Sequence, residues 1–125
     1  NGGASDTDKN LRYLRLGEIY LIKAEAANEL GNTSEALTAL NAVRSRVKLA
    51  NSTASGQVAI RQAIWKERRL ELAMEHDRWF DLVRTKQAEA AMKAAGKPFL
   101  AKHYLFPIPD NQLIQTPDMV QNTGW

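Results

Sequence analysis

The sequence predicts an all-α protein: a helical hairpin and two further helices, closed by an irregular, proline-containing C-terminal strap. Three observations carry that expectation. Apolar residues recur at helical spacing through most of the first 95 positions. Loop-type composition interrupts them at Gly31-Asn32, at 51–56 (NSTASG) and at Gly96-Lys97-Pro98. The last 22 residues, YLFPIPDNQLIQTPDMVQNTGW, hold Pro107, Pro109 and Pro117, which break helices, yet carry too many apolar side chains for a solvated tail. The chain reads as a single domain or fragment over residues 1–125, divided into a hairpin (9–50), charged helices (57–96) and the strap (97–125). It starts at Asn1 with a polar lead-in, NGGASDTDKN, which reads as a cut or processed end.

The first helix is expected over 11–30. Tyr13, Leu16, Gly17, Tyr20, Ala24 and Ala27 share one face. Gly31 stands where a glycine closes a helix, and Asn32 with Glu35 resembles a capping box opening the second. Ala36, Leu37, Leu40, Val43 and Val47 give that second helix its inner face. Tyr13, Leu16, Gly17 and Tyr20, then Gly31, Ala36 and Leu40, match a tetratricopeptide pattern whose turn comes about seven residues late. Seven residues are nearly two helical turns, so the face is kept. Gly17 and Ala36 are expected to let the two helices approach. Leu14, Ile19, Leu21, Ile22 and Leu30 lie off the first helix's inner face, so it is expected to be buried on more than one side and to lack neighbours here.

A third helix is expected over 57–76, with Ile60, Ile64, Glu67, Glu71 and Met74 on one stripe and Arg68 and Arg69 beside them. Arg78, Asp81 and Arg84 follow around Trp79, Phe80 and Leu82, after a break at His76-Asp77, and a fourth helix runs to about Ala95. Glu67 and Glu71 could be read as a glycosidase carboxylate pair. Side chains at i and i+4, however, project side by side and cannot flank a scissile bond. They are read instead with Arg68, Arg78, Asp81 and Arg84 as a structural ion network, because an isolated buried charge is costly. His76 and His103 lie far apart with no third ligand in view, so no metal site is expected. Cysteine is absent and no G-x-S-x-G element occurs, so no catalytic constellation is visible. The 17 basic and 14 acidic residues give a net charge of +3, but they are interleaved rather than clustered, which argues against nucleic-acid binding. No apolar run reaches the roughly 18 residues of a membrane-spanning helix.

Three segments together resemble the SusD/RagB family over roughly residues 9–125. The hairpin RYLRLGEIYLIKAEAANELGNTSEALTALNAVRSRV is similar to the family's last tetratricopeptide-like unit. AIRQAIWKERRLELAMEHDRWFDLVR resembles its charged signature, and YLFPIPDNQL…QNTGW resembles its closing motif. His76 stands where glycine is common, and Thr123 replaces the usual proline. The resemblance implies the C-terminal part of a much longer, non-enzymatic outer-membrane lipoprotein of Bacteroidetes, exposed at the cell surface and acting in polysaccharide utilisation. Such a protein binds a glycan or other nutrient and acts as the lid of a TonB-dependent transporter. The resemblance also implies four tetratricopeptide-like units in the whole and a lipid-bearing cysteine upstream, and it implies no cofactor. No ligand-binding residue carries over: Trp65 and Trp79 read as core and Trp125 as a docked terminus, with sugar stacking the alternative for each. Leu105, Phe106, Ile108 and Trp125 are expected to anchor the strap to the helical body. A tetratricopeptide-like scaffold for a protein or peptide is the competing reading, supported by the hairpin alone.

Overall fold

A computed structural model describes residues 13–125; the lead-in and the expected helix start at residue 11 lie outside them. The described residues hold six α-helices and no strand: α1 (Leu16–Glu29), α2 (Thr33–Arg46), α3 (Gln57–Glu71), α4 (Arg78–Arg84), α5 (Ala88–Ala94) and α6 (Asp110–Gln115), with a 3-10 turn at Ala101–Tyr104. The chain divides into two compact units, one ending at Glu75 and one spanning His76–Trp125. The division falls inside the 57–96 stretch.

In the first unit, α1, α2 and α3 enclose a core of Leu21, Ala24, Ala27, Ala36, Ala39, Leu40, Val43, Ile60 and Ile64. The inner face of α1 differs from the expected one. Leu21, Ala24, Ala27, Asn28 and Glu18 are buried, whereas Tyr13, Leu16 and Tyr20 are exposed. A helix that is apolar on both sides gives two equally good periodic stripes, and periodicity alone does not choose between them. The inner face of α2 agrees better: Ala36, Leu40 and Val43 are buried, Leu37 is half-buried and Val47 is exposed. On α3 the stripe holds through Glu67, but the helix ends at Glu71 and Met74 is almost fully exposed.

Four of the six described helices, two in each unit, end in the same way. Gly31 N–H bonds to Asn28 C=O and Asn32 N–H to Ala27 C=O, closing α1 in a Schellman motif. The same pair of bonds closes α2 at Lys48-Leu49, α4 at Lys86-Gln87 and α5 at Gly96-Lys97. Lys48 (φ 59°) and Lys86 (φ 57°) thus take the left-handed conformation usually left to glycine. The stop at Lys86 splits the expected fourth helix into α4 and α5. Asn32 does stand at the start of α2, but its side chain makes no capping bond; its backbone carbonyl accepts Ala36 N–H at 3.0 Å.

The second unit packs around Phe99, with Leu82 and Ala88 buried beside it and Trp79, Val83, Ala91, Met92 and Tyr104 against them. The Phe99 ring meets Tyr104 edge-on at 5.0 Å, His103 edge-on at 5.5 Å and Trp79 at a tilt at 6.3 Å. The strap was expected to be irregular throughout, but α6 interrupts it. Pro109 sits at the N-cap of α6, where its missing N–H costs nothing, and Pro117 follows the last turn. The prolines punctuate a short helix instead of forbidding one.

Candidate functional site

The polar side chains of the first unit converge where α3 ends. Arg15, just before α1, donates from Nε to both Glu75 oxygens (3.0 and 2.7 Å) and from Nη1 and Nη2 to the Glu71 carboxylate and carbonyl. Arg46 of α2 reaches the same Glu71 carboxylate at 2.7 and 2.8 Å. One turn earlier Arg44 donates to Glu67 at 2.6 Å, and across α1 Arg68 faces Glu18 at 3.5 Å. Glu75 and Glu71 hold the Arg15 guanidinium well above its ordinary pKa. At the far end of α3, Arg61 grips Glu29 with bonds of 2.6 and 2.5 Å and pulls that carboxyl below the usual range.

The expected ion network is thereby located piece by piece. Glu67, Glu71 and Arg68 lie on α3 and take their partners from the chain ahead of α1 and from α1 and α2. Asp81 accepts from Arg84 at 2.8 Å within the second unit, and Arg78 opens α4, half-buried. Sequence reading missed Arg15, Glu18, Arg44 and Arg46, because nothing in a sequence pairs residues 23 to 60 positions apart. Gly17 serves this site rather than a helix crossing. A Cβ there would sit 2.7 Å from a Glu71 carboxylate oxygen and 2.9 Å from Arg15 Nη1.

In the second unit, the closing segment holds the strap by its backbone. Gln121 Oε1 accepts Ile108 N–H at 2.8 Å, and its Nε2 donates to Ile108 C=O at 2.9 Å. Asn122 Nδ2 donates to Phe106 C=O at 2.7 Å, and Trp125 Nε1 is shared by the Lys102 and Leu105 carbonyls at 3.1 Å each. Pro107 and Pro109 have no N–H, so Ile108 carries the sole donor across 107–109, and Gln121 takes it. Of the four side chains expected as apolar anchors, Leu105 and Phe106 are 59% and 75% exposed in this chain, Ile108 is half-buried and Trp125 is 46% exposed. Phe99 and Tyr104 pack in the core of the second unit, but what fixes residues 105–108 of the strap there is polar, because an extended segment between prolines has carbonyls to satisfy and no ladder to satisfy them.

The tryptophans are each occupied. Trp65 is half-buried and donates to Glu25 at 3.0 Å; Trp79 packs on Phe99; Trp125 lies under Lys102 Nζ, 4.3 Å from its ring centroid. A hollow of about 330 Å³ is lined by Ala101, Lys102, Leu105, Gln121, Asn122 and Thr123, and a wider one of about 740 Å³ opens at the turn between α1 and α2. No aromatic side chain lines either of these, so neither offers a stacking face. His103 Nδ1 accepts Leu100 N–H at 3.0 Å, and His76 is exposed. Among the described residues no group of three or more His, Cys, Asp or Glu side chains could hold a metal ion, and no helix is long and apolar enough to cross a membrane.

Comparison with known proteins places this architecture. SusD-like protein P38 of Formosa agariphila is 34% identical over 134 residues, covering 100% of this chain and 26% of its own length. SusD-like protein P2 of the same organism is 34% identical over 136 residues, covering 98% of this chain and 26% of its own. The crystal structure of a SusD-like protein from Bacteroides fragilis superposes with a TM-score of 0.78 at 30% identity, over 90% of this chain and 25% of that one. The chain thus spans about a quarter of the length of these relatives. The SusD family model matches residues 1–125, the whole sequence, and the chain belongs to the SusD family.

Proposed function

We propose that this chain is a scaffold portion of a surface lipoprotein that binds a glycan or other nutrient without catalysis and closes over a TonB-dependent outer-membrane transporter. The match of the whole chain to the SusD family model is the observation that carries this reading. The local chemistry fits it. The carboxylates of α3 are spent on arginines, the tryptophans are engaged within the fold, and neither hollow has a face for a sugar ring to stack on. In this reading Glu67, Arg68, Glu71, Arg78, Asp81 and Arg84 hold helices together. Leu105, Phe106, Ile108 and Trp125 anchor the strap, the exposed ones against parts of the longer protein. The α1–α2 hairpin then serves as one tetratricopeptide-like unit of a larger helical body, and the lipid anchor lies elsewhere in the polypeptide.

Affinity purification of the tagged intact protein from detergent-solubilised outer membranes tests this. A TonB-dependent transporter is expected to copurify. A soluble peptide or protein partner without any transporter would favour the competing reading, a tetratricopeptide-like interaction scaffold, which the hairpin geometry also suits.

A further inference from the structure

Helix α3 is closed differently from the four helices that end in a Schellman pair. Its last helical carbonyl, that of Glu71, accepts from Arg15 Nη2, which stands 56 positions earlier on the chain that enters α1. A cation there also meets the negative end of the helix dipole. The same guanidinium holds the Glu71 carboxylate through Nη1 and both Glu75 oxygens through Nε, the latter at 3.0 and 2.7 Å. Around Glu75 the backbone is strained. Met74 at φ 69° and His76 at φ 66° are both left-handed without being glycine. Burial does not hold them there, since Met74 is 95% exposed and His76 is exposed. The turn's own backbone bond, Glu75 N–H to Leu72 C=O, is 3.1 Å long.

We propose that Arg15 is a latch that holds residues 72–77 in a strained conformation, and that withdrawing its guanidinium lets this turn relax. Backbone strain persists where the surroundings over-determine it. Arg15 supplies that surplus by fixing the residue on each side of Leu72–Met74, Glu71 before and Glu75 after. A distant side chain, and not the local sequence, thus sets the path by which the chain leaves α3. The latch is also built to open. The Arg15 and Glu75 side chains are 25% and 41% exposed, so water can reach both when they part. Glu71 keeps a second cation, Arg46, at 2.7 and 2.8 Å, so its carboxylate is not left buried and unpaired. One guanidinium ties the chain arriving at α1 to the chain leaving α3, whatever nutrient or transporter the protein serves.

The test is hydrogen exchange in the intact, purified protein, resolved at the Leu72 and Glu75 amides. It compares the unaltered protein with Arg15→Met, which keeps the stem and removes the guanidinium. Both amides are expected to exchange at least about tenfold faster in the variant, with the core amides of Leu40 and Val43 in α2 unchanged within about twofold. With Met74→Gly and His76→Gly present as well, the acceleration is expected to shrink to about threefold or less, because glycine removes the strain that the latch opposes. Arg15→Lys keeps the charge but not the planar fork, and is expected to give the same pattern in smaller measure with less risk to folding. Unchanged exchange at Leu72 and Glu75 would overturn the proposal. So would acceleration that spreads equally to Leu40 and Val43, which means a general loss of stability. Acceleration of equal size in the glycine background would overturn it too, since the clamp would then oppose no strain.

Discussion

Gln121 holds the backbone of Ile108 from both directions, accepting its N–H at 2.8 Å and donating to its carbonyl at 2.9 Å. The two residues are 13 positions apart, and each belongs to one of the two short motifs that end the chain. Their co-occurrence has a physical cause: the proline-flanked segment has backbone groups to satisfy, and the closing segment carries the amides that satisfy them. Replacing Gln121 by Leu keeps the bulk and removes the amide. Ile108 then loses both bonds, and Asn122 N–H loses the 2.9 Å bond that it also makes to Gln121 Oε1. Because the site is only partly buried, water replaces some of the loss, and the expected cost is about 1–2 kcal/mol. The sharper readout is hydrogen exchange at Ile108 N–H, expected to accelerate markedly in the variant. Unchanged exchange would show that the clasp does not hold the strap.

The Arg44–Glu67 pair joins α2 to α3 with Glu67 almost wholly buried. Glu67→Ala leaves the Arg44 guanidinium in a partly desolvated place with no carboxylate. A loss of about 3 kcal/mol is expected by chemical denaturation. Arg44→Met combined with Glu67→Leu is expected to recover much of it, because removing both charges also removes their desolvation. If the double variant is no more stable than Glu67→Ala, the pair is not the reason for the loss.

Gly17→Ala sets two effects against each other. Alanine favours a helix interior by about 1 kcal/mol over glycine. The new methyl, however, would displace the Glu71 carboxylate and Arg15, and Glu71 is also held by Arg46. Gly17 lies in the first turn of α1, where the propensity gain is smallest, so a net destabilisation of about 1 kcal/mol is expected. A gain in stability of the full propensity value would contradict a tight fit at this carboxylate.

His76 carries φ 66°, a left-handed conformation that costs a non-glycine residue about 1 kcal/mol. The family resemblance already marks this position as one where glycine is common. His76→Gly is therefore expected to raise stability by up to about 1 kcal/mol, reduced by the extra freedom glycine has when unfolded. A loss of stability would point to an interaction of the imidazole that outweighs the backbone strain.

The sequence exposed helices well and their stops poorly, for identifiable reasons. Gly31 and Gly96 announce two Schellman turns, but Lys48 and Lys86 close α2 and α4 in the same conformation with no glycine to signal it. That is why α4 and α5 read as one helix. The core face of α1 was ambiguous because both of its faces are apolar, and the structure chose Leu21 over Tyr20. Phe99, the hub of the second unit, follows Gly96-Lys97-Pro98, whose composition signals only a turn. At the charged junction Glu67 and Glu71 were legible from their place in an apolar stripe, whereas Glu18 and Glu75 were not. Their arginine partners come from distant positions that only folding brings near. The strap was legible as a family marker, yet its apolar residues drew attention away from Gln121 and Asn122, which do the holding.

In the proposed function, the intact protein captures a nutrient and leaves it chemically unchanged. Equilibrium binding of the purified intact protein to a panel of glycans, with the recovered glycan analysed by chromatography, measures both halves at once. The expected result is saturable binding of at least one glycan class, recovered unaltered, with affinity unchanged by Trp65→Phe and Trp79→Phe. Cleaved glycan, or a loss of binding in those two folded variants, would contradict the account.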